Sequence, residues 1–98
     1  MTTQTQKLMN DEHRARIFKA LADETRLEII RTLYANKKEM NCGEVGDIHG
    51  TSKSNNSYHL RTLREAKLIK VRKEAQTRYM SIDMETFQTY LPGFLDTL

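Results

Sequence analysis

Residues 52–67 read SKSNNSYHLRTLREAK. Wound at 100° per residue, Ser54, Ser57, Tyr58 and Arg61 fall on one narrow stripe, spaced i, i+3, i+4, i+7. Leu60 and Leu63 lie roughly opposite, with Ala66 nearby. One face is therefore apolar, and the other carries hydroxyls, an aromatic ring and a guanidinium. The chemistry open to such a stripe is recognition. Hydroxyls and amides reach base edges and phosphates, arginine reaches guanine or phosphate, and tyrosine offers a hydroxyl and a stacking face. Ser52, Lys53, Ser54, Asn55, Ser57, Tyr58 and Arg61 are the candidate contacts with double-stranded DNA.

The charge distribution points the same way. Residues 52–78 hold eight basic side chains (Lys53, Arg61, Arg64, Lys67, Lys70, Arg72, Lys73 and Arg78) against Glu65 and Glu74. That block is +6 in a chain of net charge +3, so the remainder is −3. A basic block in an otherwise acidic small domain suggests a polyanion-facing surface. The plainer reading is a solvated charged face; the polar stripe within the block argues against it.

The elements that must position this stripe follow from periodicity and punctuation. A first helix is expected over 11–22, with Ile17, Phe18 and Leu21 on one side. Asp23 is a plausible N-cap for a second helix carrying Leu27, Ile30, Leu33 and Tyr34. A turn with a short extended piece follows over 36–41. Asn41 can cap a short third helix, CGEVGDIH, with Val45 and Ile48 buried. Its two glycines cost about 1 kcal/mol each relative to alanine, so something beyond propensity must hold it.

Gly50 breaks the chain, and Thr51 or Ser52 caps the fourth helix, which runs to about Ala66. A short helix, a break and a polar-faced helix make a helix-turn-helix. Two strands come next, 68–73 and 78–82, with Ile69, Val71, Met80 and Ile82 inward. Their basic hairpin would be a wing, with Arg72, Lys73, Gln76, Thr77 and Arg78 placed against the DNA backbone or minor groove. Asp83 can cap a last helix with Met84, Phe87, Leu91, Phe94, Leu95 and Leu98 near one face. Pro92 interrupts it, at about 3 kcal/mol for a mid-helix proline, so a kink or a fresh start is expected there. The fold class is mainly α with a β-hairpin wing (α+β): a winged helix-turn-helix of about five helices and a two- to three-stranded small sheet.

At 98 residues the chain is one domain's worth. Residues 1–10 read as a flexible polar leader without the apolar core of a secretory signal, and 11–98 as the domain. No apolar run approaches the roughly 20 residues of a membrane span. The single cysteine, Cys42, cannot form an intrachain disulfide and fits a reducing cytoplasm.

The blocks IFKALADETRLEIIRTL and SKSNNSYHLRTLREAKLIKVRKEAQTRYMSI resemble the ArsR/SmtB family of winged-helix repressors, over roughly residues 17–82. The resemblance implies a homodimer on an operator with two-fold symmetry. It assigns base reading to Lys53, Ser54, Ser57 and Tyr58. It places the dimer interface on the first and last helices, here Ile17, Phe18, Phe87, Leu91, Phe94, Leu95 and Leu98. The alternative for the C-terminal apolar face is that it folds back on its own core. One departure stands out: Asn56 occupies a position that is usually small and apolar in the family, on the side of Leu60 and Leu63. A buried asparagine must be hydrogen-bonded or it destabilises the fold; the alternative is that Asn56 bonds backbone near the turn.

Many members of that family sense metals. Its third-helix site uses Cys-x-Cys-Asp, but here Asn41 and Gly43 occupy the cysteine positions and Cys42 falls between them. Its last-helix site uses aspartate and histidines, and 83–98 contains no histidine. One thiolate does not build a transition-metal site, so no metal or other cofactor is expected, and no inducer is identified. Cys42 reads as a small, partly buried residue, with an oxidisable thiol at a helix start as the alternative. His59 reads as structural, His49 as a turn or helix-end residue and His13 as exposed. Two other function classes compete. A protein-interaction winged helix would not need the +6 block. An enzyme has no support, since the chain lacks a Gly-rich phosphate loop, a nucleophile motif and a convincing carboxylate pair.

Overall fold

The computed structural model describes residues 4–50 and 52–98. The first helix, α1, spans Gln4–Leu21. It begins well before Asp11, so 4–10 is helical, while 1–3 lie outside the described residues. The segment QTQKLMN contains no glycine or proline, and Gln, Lys, Leu and Met are good helix formers. Without an apolar stripe, the periodicity that marks 11–22 does not reveal it.

Asp23 caps α2 (Glu24–Asn36), its carboxylate accepting from the Arg26 N–H at 3.0 Å. The helix ends at Lys37, which is left-handed (φ 56°) and returns its N–H to the Leu33 carbonyl. Met40–Asn41 form β1. Asn41 then caps α3 (Cys42–His49) through a full capping box: its Oδ1 accepts from the Glu44 N–H at 2.8 Å, and the Glu44 carboxylate accepts from the Asn41 N–H at 3.1 Å. Two orphan donors are satisfied at once, which helps a helix burdened by two glycines.

Val45 is fully buried, but Ile48 is 57% exposed, against expectation. Helix α3 turns Cys42, Val45 and Gly46 inward, and Ile48 lies off that face. A Cβ on Gly46 would sit 3.2 Å from Asn56 Nδ2, so the glycine is what allows the close approach to the next helix. Gly50 ends α3 in the left-handed region (φ 61°), its N–H donating to the Gly46 carbonyl. Ser52 caps α4 (Lys53–Glu65), accepting from the Asn55 N–H at 3.2 Å. Thr51, the other candidate cap, lies outside the described residues.

Strands β2 (Ile69–Glu74) and β3 (Thr77–Ile82) pair antiparallel around a tight turn at Ala75 and Gln76, and β1 adds to the far side of β3. The register puts Ile69↔Ile82, Val71↔Met80 and Lys73↔Arg78 on one face, and Lys70↔Ser81 and Arg72↔Tyr79 on the other. Asp83 caps α5 (Met84–Tyr90), accepting from the Thr86 N–H at 3.2 Å. The chain breaks at Pro92 and Gly93 (φ 81°) and restarts as a 3-10 turn, Leu95–Thr97. The fresh start at the proline is as expected.

Among the described residues, five α-helices and a three-stranded antiparallel sheet make the winged helix-turn-helix arrangement. One core cluster joins Ile17 of α1, Ile29, Ile30 and Leu33 of α2, Val45 of α3, Leu60 and Leu63 of α4, Leu68, Met80 and Phe87. Each large side chain buried there contributes about 1.5–3 kcal/mol. A capping bond contributes about 1 kcal/mol. The apolar side of α4 therefore fixes its seat, and its polar side is left to face outward.

Candidate nucleic-acid interface

Ser52, Ser54, Asn55, Ser57, Tyr58 and Arg61 are all solvent-exposed, Tyr58 at 55%. The Lys53 side chain lies outside what is described. Leu60, Leu63 and Ala66 are buried beneath them. Thr62 Oγ1 donates back to the Tyr58 carbonyl at 3.0 Å, and the Tyr58 ring meets His59 edge-on at 5.5 Å. The stripe read from the sequence is thus an outward ridge on a helix seated in the core.

Asn56 is 4% exposed. Its Nδ2 donates to the Cys42 carbonyl at 3.0 Å and lies 3.4 Å from Cys42 Sγ, joining the two helices of the motif. Its Oδ1 is buried with no partner among the described residues. The amide thus bonds backbone, but of the preceding helix rather than of the turn, at the cost of one acceptor without a partner among the described residues.

Arg26 braces α4 from the other side. Its Nε donates to the Ala20 carbonyl at 2.6 Å, Nη2 to the Lys19 carbonyl at 3.4 Å, and Nη1 lies 3.2 Å from His59 Nδ1. The same ring nitrogen stands 3.9 Å from the Asp23 carboxylate, so His59 sits between the cap of α2 and its guanidinium brace. His59 is structural, as the sequence suggested. His13 is not the exposed residue expected: its Nε2 is 2.9 Å from the Ala66 carbonyl at the end of α4, and its ring packs edge-on against Tyr90 at 4.6 Å. The His49 side chain lies outside what is described.

The strand register divides the wing residues between two faces. Lys73 and Arg78 face each other on the side turned toward α4, whereas Arg72 points to the opposite side. Its Nε and Nη2 grip the Glu39 carboxylate at 2.9–3.1 Å, Nη1 reaches Glu74 at 2.7 Å, and its guanidinium lies 4.8 Å from the centre of the Tyr79 ring. The hydrogen bond from Arg72 holds the Glu39 carboxyl below its ordinary value, and Glu39 and then Glu74 raise the pKa of Arg72. Arg72 is an internal clamp of the wing rather than a free cation. The sequence missed this because Glu39 is 33 residues away.

Gln76 is exposed at the tip and Thr77 is half-buried. Between α4 and the wing runs a groove of about 160 Å³, bordered by Ser57, Arg61, Arg64, Arg78 and Cys42. Arg64 was not among the candidate contacts, although its place three residues after Arg61 sets it on the same side of the helix.

The apolar residues assigned to a dimer interface divide into two groups. Ile17, Phe87 and Leu95 are buried in the chain's own core, at 1%, 1% and 6% exposure. The break at Pro92 lets Leu95 fold back, and Tyr34 Oη holds the turn by donating to Asp96 at 2.7 Å. Phe18 is 57% exposed, while Leu91, Phe94 and Leu98 pack at the core's edge, partly buried. Among the described residues no group of three or more His, Cys, Asp or Glu side chains could hold a metal ion. No helix there is long and apolar enough to cross a membrane.

Comparison with known proteins agrees with this geometry. Residues 21–72, which include α2, α3 and α4, match the family described as "Helix-turn-helix domain". The chain is 57% identical over 94 residues to the uncharacterized HTH-type transcriptional regulator YceK of Bacillus subtilis (strain 168), covering 96% of this chain and 94% of YceK. It is 31% identical over 80 residues to the transcriptional repressor SdpR of the same organism, covering 82% and 87% of the two chains. Among solved structures it superposes on the homodimeric winged helix-turn-helix DNA-binding domain of Mb0332 from Mycobacterium bovis, described as a possible ArsR-family transcriptional regulator. That match has a TM-score of 0.76 and 25% identity, over 91% of this chain and 81% of that one. With a polar-faced second helix, a basic wing and this ancestry, the chain belongs to the ArsR/SmtB family of winged helix-turn-helix transcription regulators.

Proposed function

We propose that the protein is a homodimeric repressor that occupies an operator with two-fold symmetry. Helix α4 enters the major groove, with Ser52, Lys53, Ser54, Asn55, Ser57, Tyr58 and Arg61 at base edges and phosphates. The wing follows the backbone through Lys73, Arg78, Gln76 and Thr77. The observation that carries this reading is the exposed polar ridge of α4 on an apolar base locked into the core.

A dimer is supported by the homodimeric state of Mb0332 and by Phe18, a large exposed hydrophobic on α1. Leu91, Phe94 and Leu98 would complete that interface at their exposed edges. The repressor role is supported by the likeness to SdpR. The mechanism is steric: two recognition helices lie in successive major grooves, roughly 34 Å apart, and cover the promoter. The place of action would be the cytoplasm, with Cys42 reduced.

The test is selection of bound duplexes from a random pool, followed by affinity measurements across salt concentrations. An inverted repeat with half-sites about 10 base pairs apart, and binding that weakens steeply with salt, is expected. No enriched sequence, or affinity that is flat with salt, would reject the reading.

A further inference from the structure

Helix α4 is a ridge between two grooves, and Arg61 borders both. The wing-side groove belongs to the interface already described. The other, of about 620 Å³, lies between α1 and α4. Arg16 and Lys19 of α1 form one wall, and Tyr58, Arg61 and Thr62 of α4 form the other. Arg16 and Lys19 are three residues apart, so they share a face of α1, and both are exposed. Phe18 lies on a different flank of the same helix.

We propose that this α1–α4 groove is a second phosphate track, in which Arg16 and Lys19 hold the DNA backbone on the side of the recognition helix away from the wing. The inference rests on the reading of α4 as the major-groove helix. A helix is about 10–12 Å across with its side chains. The major groove is about 12 Å wide. A helix seated there meets a sugar-phosphate backbone on each flank. Arg64 and Arg78 meet one of them. The α1 cations stand where the other must pass.

The charges fit. Arg16, Lys19, Arg26 and Arg61 border the groove against only Glu12 and Glu65. Arg26 is the brace of this site rather than a contact. Its bonds to the Lys19 and Ala20 carbonyls and to His59 fix the end of α1 relative to α4, so Arg16 and Lys19 are held at a set distance from Tyr58 and Arg61.

The experiment compares the parent with the double variant Arg16→Ala/Lys19→Ala on a selected operator and on a random duplex, over a range of salt. Loss of two phosphate contacts lowers the slope of log affinity against log salt by about 1.8. The affinity should fall by the same factor on both duplexes, because phosphate contacts carry no sequence information. The charge-retaining variant Arg16→Lys/Lys19→Arg should keep the parental slope. Thermal melting and sedimentation should match the parent. An unchanged slope and affinity in the alanine variant would overturn the proposal, as would a loss of affinity accompanied by monomerisation. Parental salt dependence, together with losses in Arg61→Ala and Arg78→Ala, would leave the reading of α4 intact in either case. A parent that does not bind DNA would instead reject that reading itself.

Discussion

Asn56 Nδ2 donates to the Cys42 carbonyl across the helix-turn-helix, and it does so beside Gly46, where a Cβ would stand 3.2 Å from the same nitrogen. The angle between the two helices therefore depends on a hydrogen bond and on a missing methyl group together. Glycine to alanine inside a helix ordinarily gains about 1 kcal/mol. Here the methyl would push a buried amide by a few tenths of an ångström and strain a bond worth about 0.5–1.5 kcal/mol. Gly46→Ala is expected to lower the stability of the parent and to raise that of Asn56→Ala. Denaturant midpoints of the four proteins in this cycle give the coupling. A stabilising Gly46→Ala in the parent would show that the contact is not tight.

The two faces of the wing should separate in DNA binding. Arg78→Ala removes a cation beside the recognition helix, and the salt slope should fall by about 0.9. Arg72→Ala removes the clamp to Glu39 and Glu74 and should leave the slope unchanged. Equal changes in slope for the two variants would place Arg72 on the DNA after all.

Base reading and backbone holding should also separate. Ser57→Ala and Tyr58→Phe are expected to cost about 1–3 kcal/mol on the selected operator and much less on random duplexes. Lys73→Ala should cost the same on both. Competition binding with single-base operator variants would locate which base pair each residue senses. A uniform loss for Tyr58→Phe would move that residue to the backbone set.

The Glu39–Arg72 pair sets a pH dependence. The hydrogen bond from Arg72 lowers the Glu39 pKa, so the pair adds stability above the ordinary glutamate value of 4.5 and loses it as pH falls through the lowered value. Carboxyl titration by NMR should show Glu39 protonating below 4.5 in the parent and returning toward it in Arg72→Ala. Because the pair is exposed, the effect on global unfolding should be small.

Phe18 and Ile17 are neighbours in the sequence with opposite expected effects. Ile17→Ala removes a fully buried side chain and should cost about 2–5 kcal/mol of stability. Phe18→Ser should change folding little but shift sedimentation toward the monomer. A stable dimer of Phe18→Ser would move the subunit interface elsewhere.

What the sequence disclosed follows the range of the interactions. Asp23, Asn41, Ser52 and Asp83 were legible as caps because each bonds an N–H three residues along. The ridge of α4 was legible because helical geometry alone sorts Ser54 and Arg61 from Leu60 and Leu63. Other features depended on contacts distant in the chain. Arg72 finds Glu39, His13 finds Ala66, and Tyr34 finds Asp96, 62 residues away. Periodicity marked Phe87 and Leu95 as apolar, but it does not say whether a partner or the chain itself covers them. Ile48 fails for a related reason: in so short a helix Val45 enters the core and Asn56 packs at Gly46, and Ile48 is left on the exposed side.

The Arg26 bracket carries one further consequence. One flat guanidinium adds to the His13–Ala66 contact in fastening α1 to α4, and α1 bears Phe18 on one flank and Arg16 and Lys19 on another. With subunits joined through Phe18, the two recognition helices would form a calliper whose jaws are set at a fixed opening. Such a tool measures the distance between half-sites as strictly as it reads their letters. One inserted base pair at the operator's centre would turn one half-site by about a tenth of a helical turn relative to the other. Replacing Arg26 with lysine, which keeps the charge but loses the fork, would loosen the jaws and let operators of unequal spacing through.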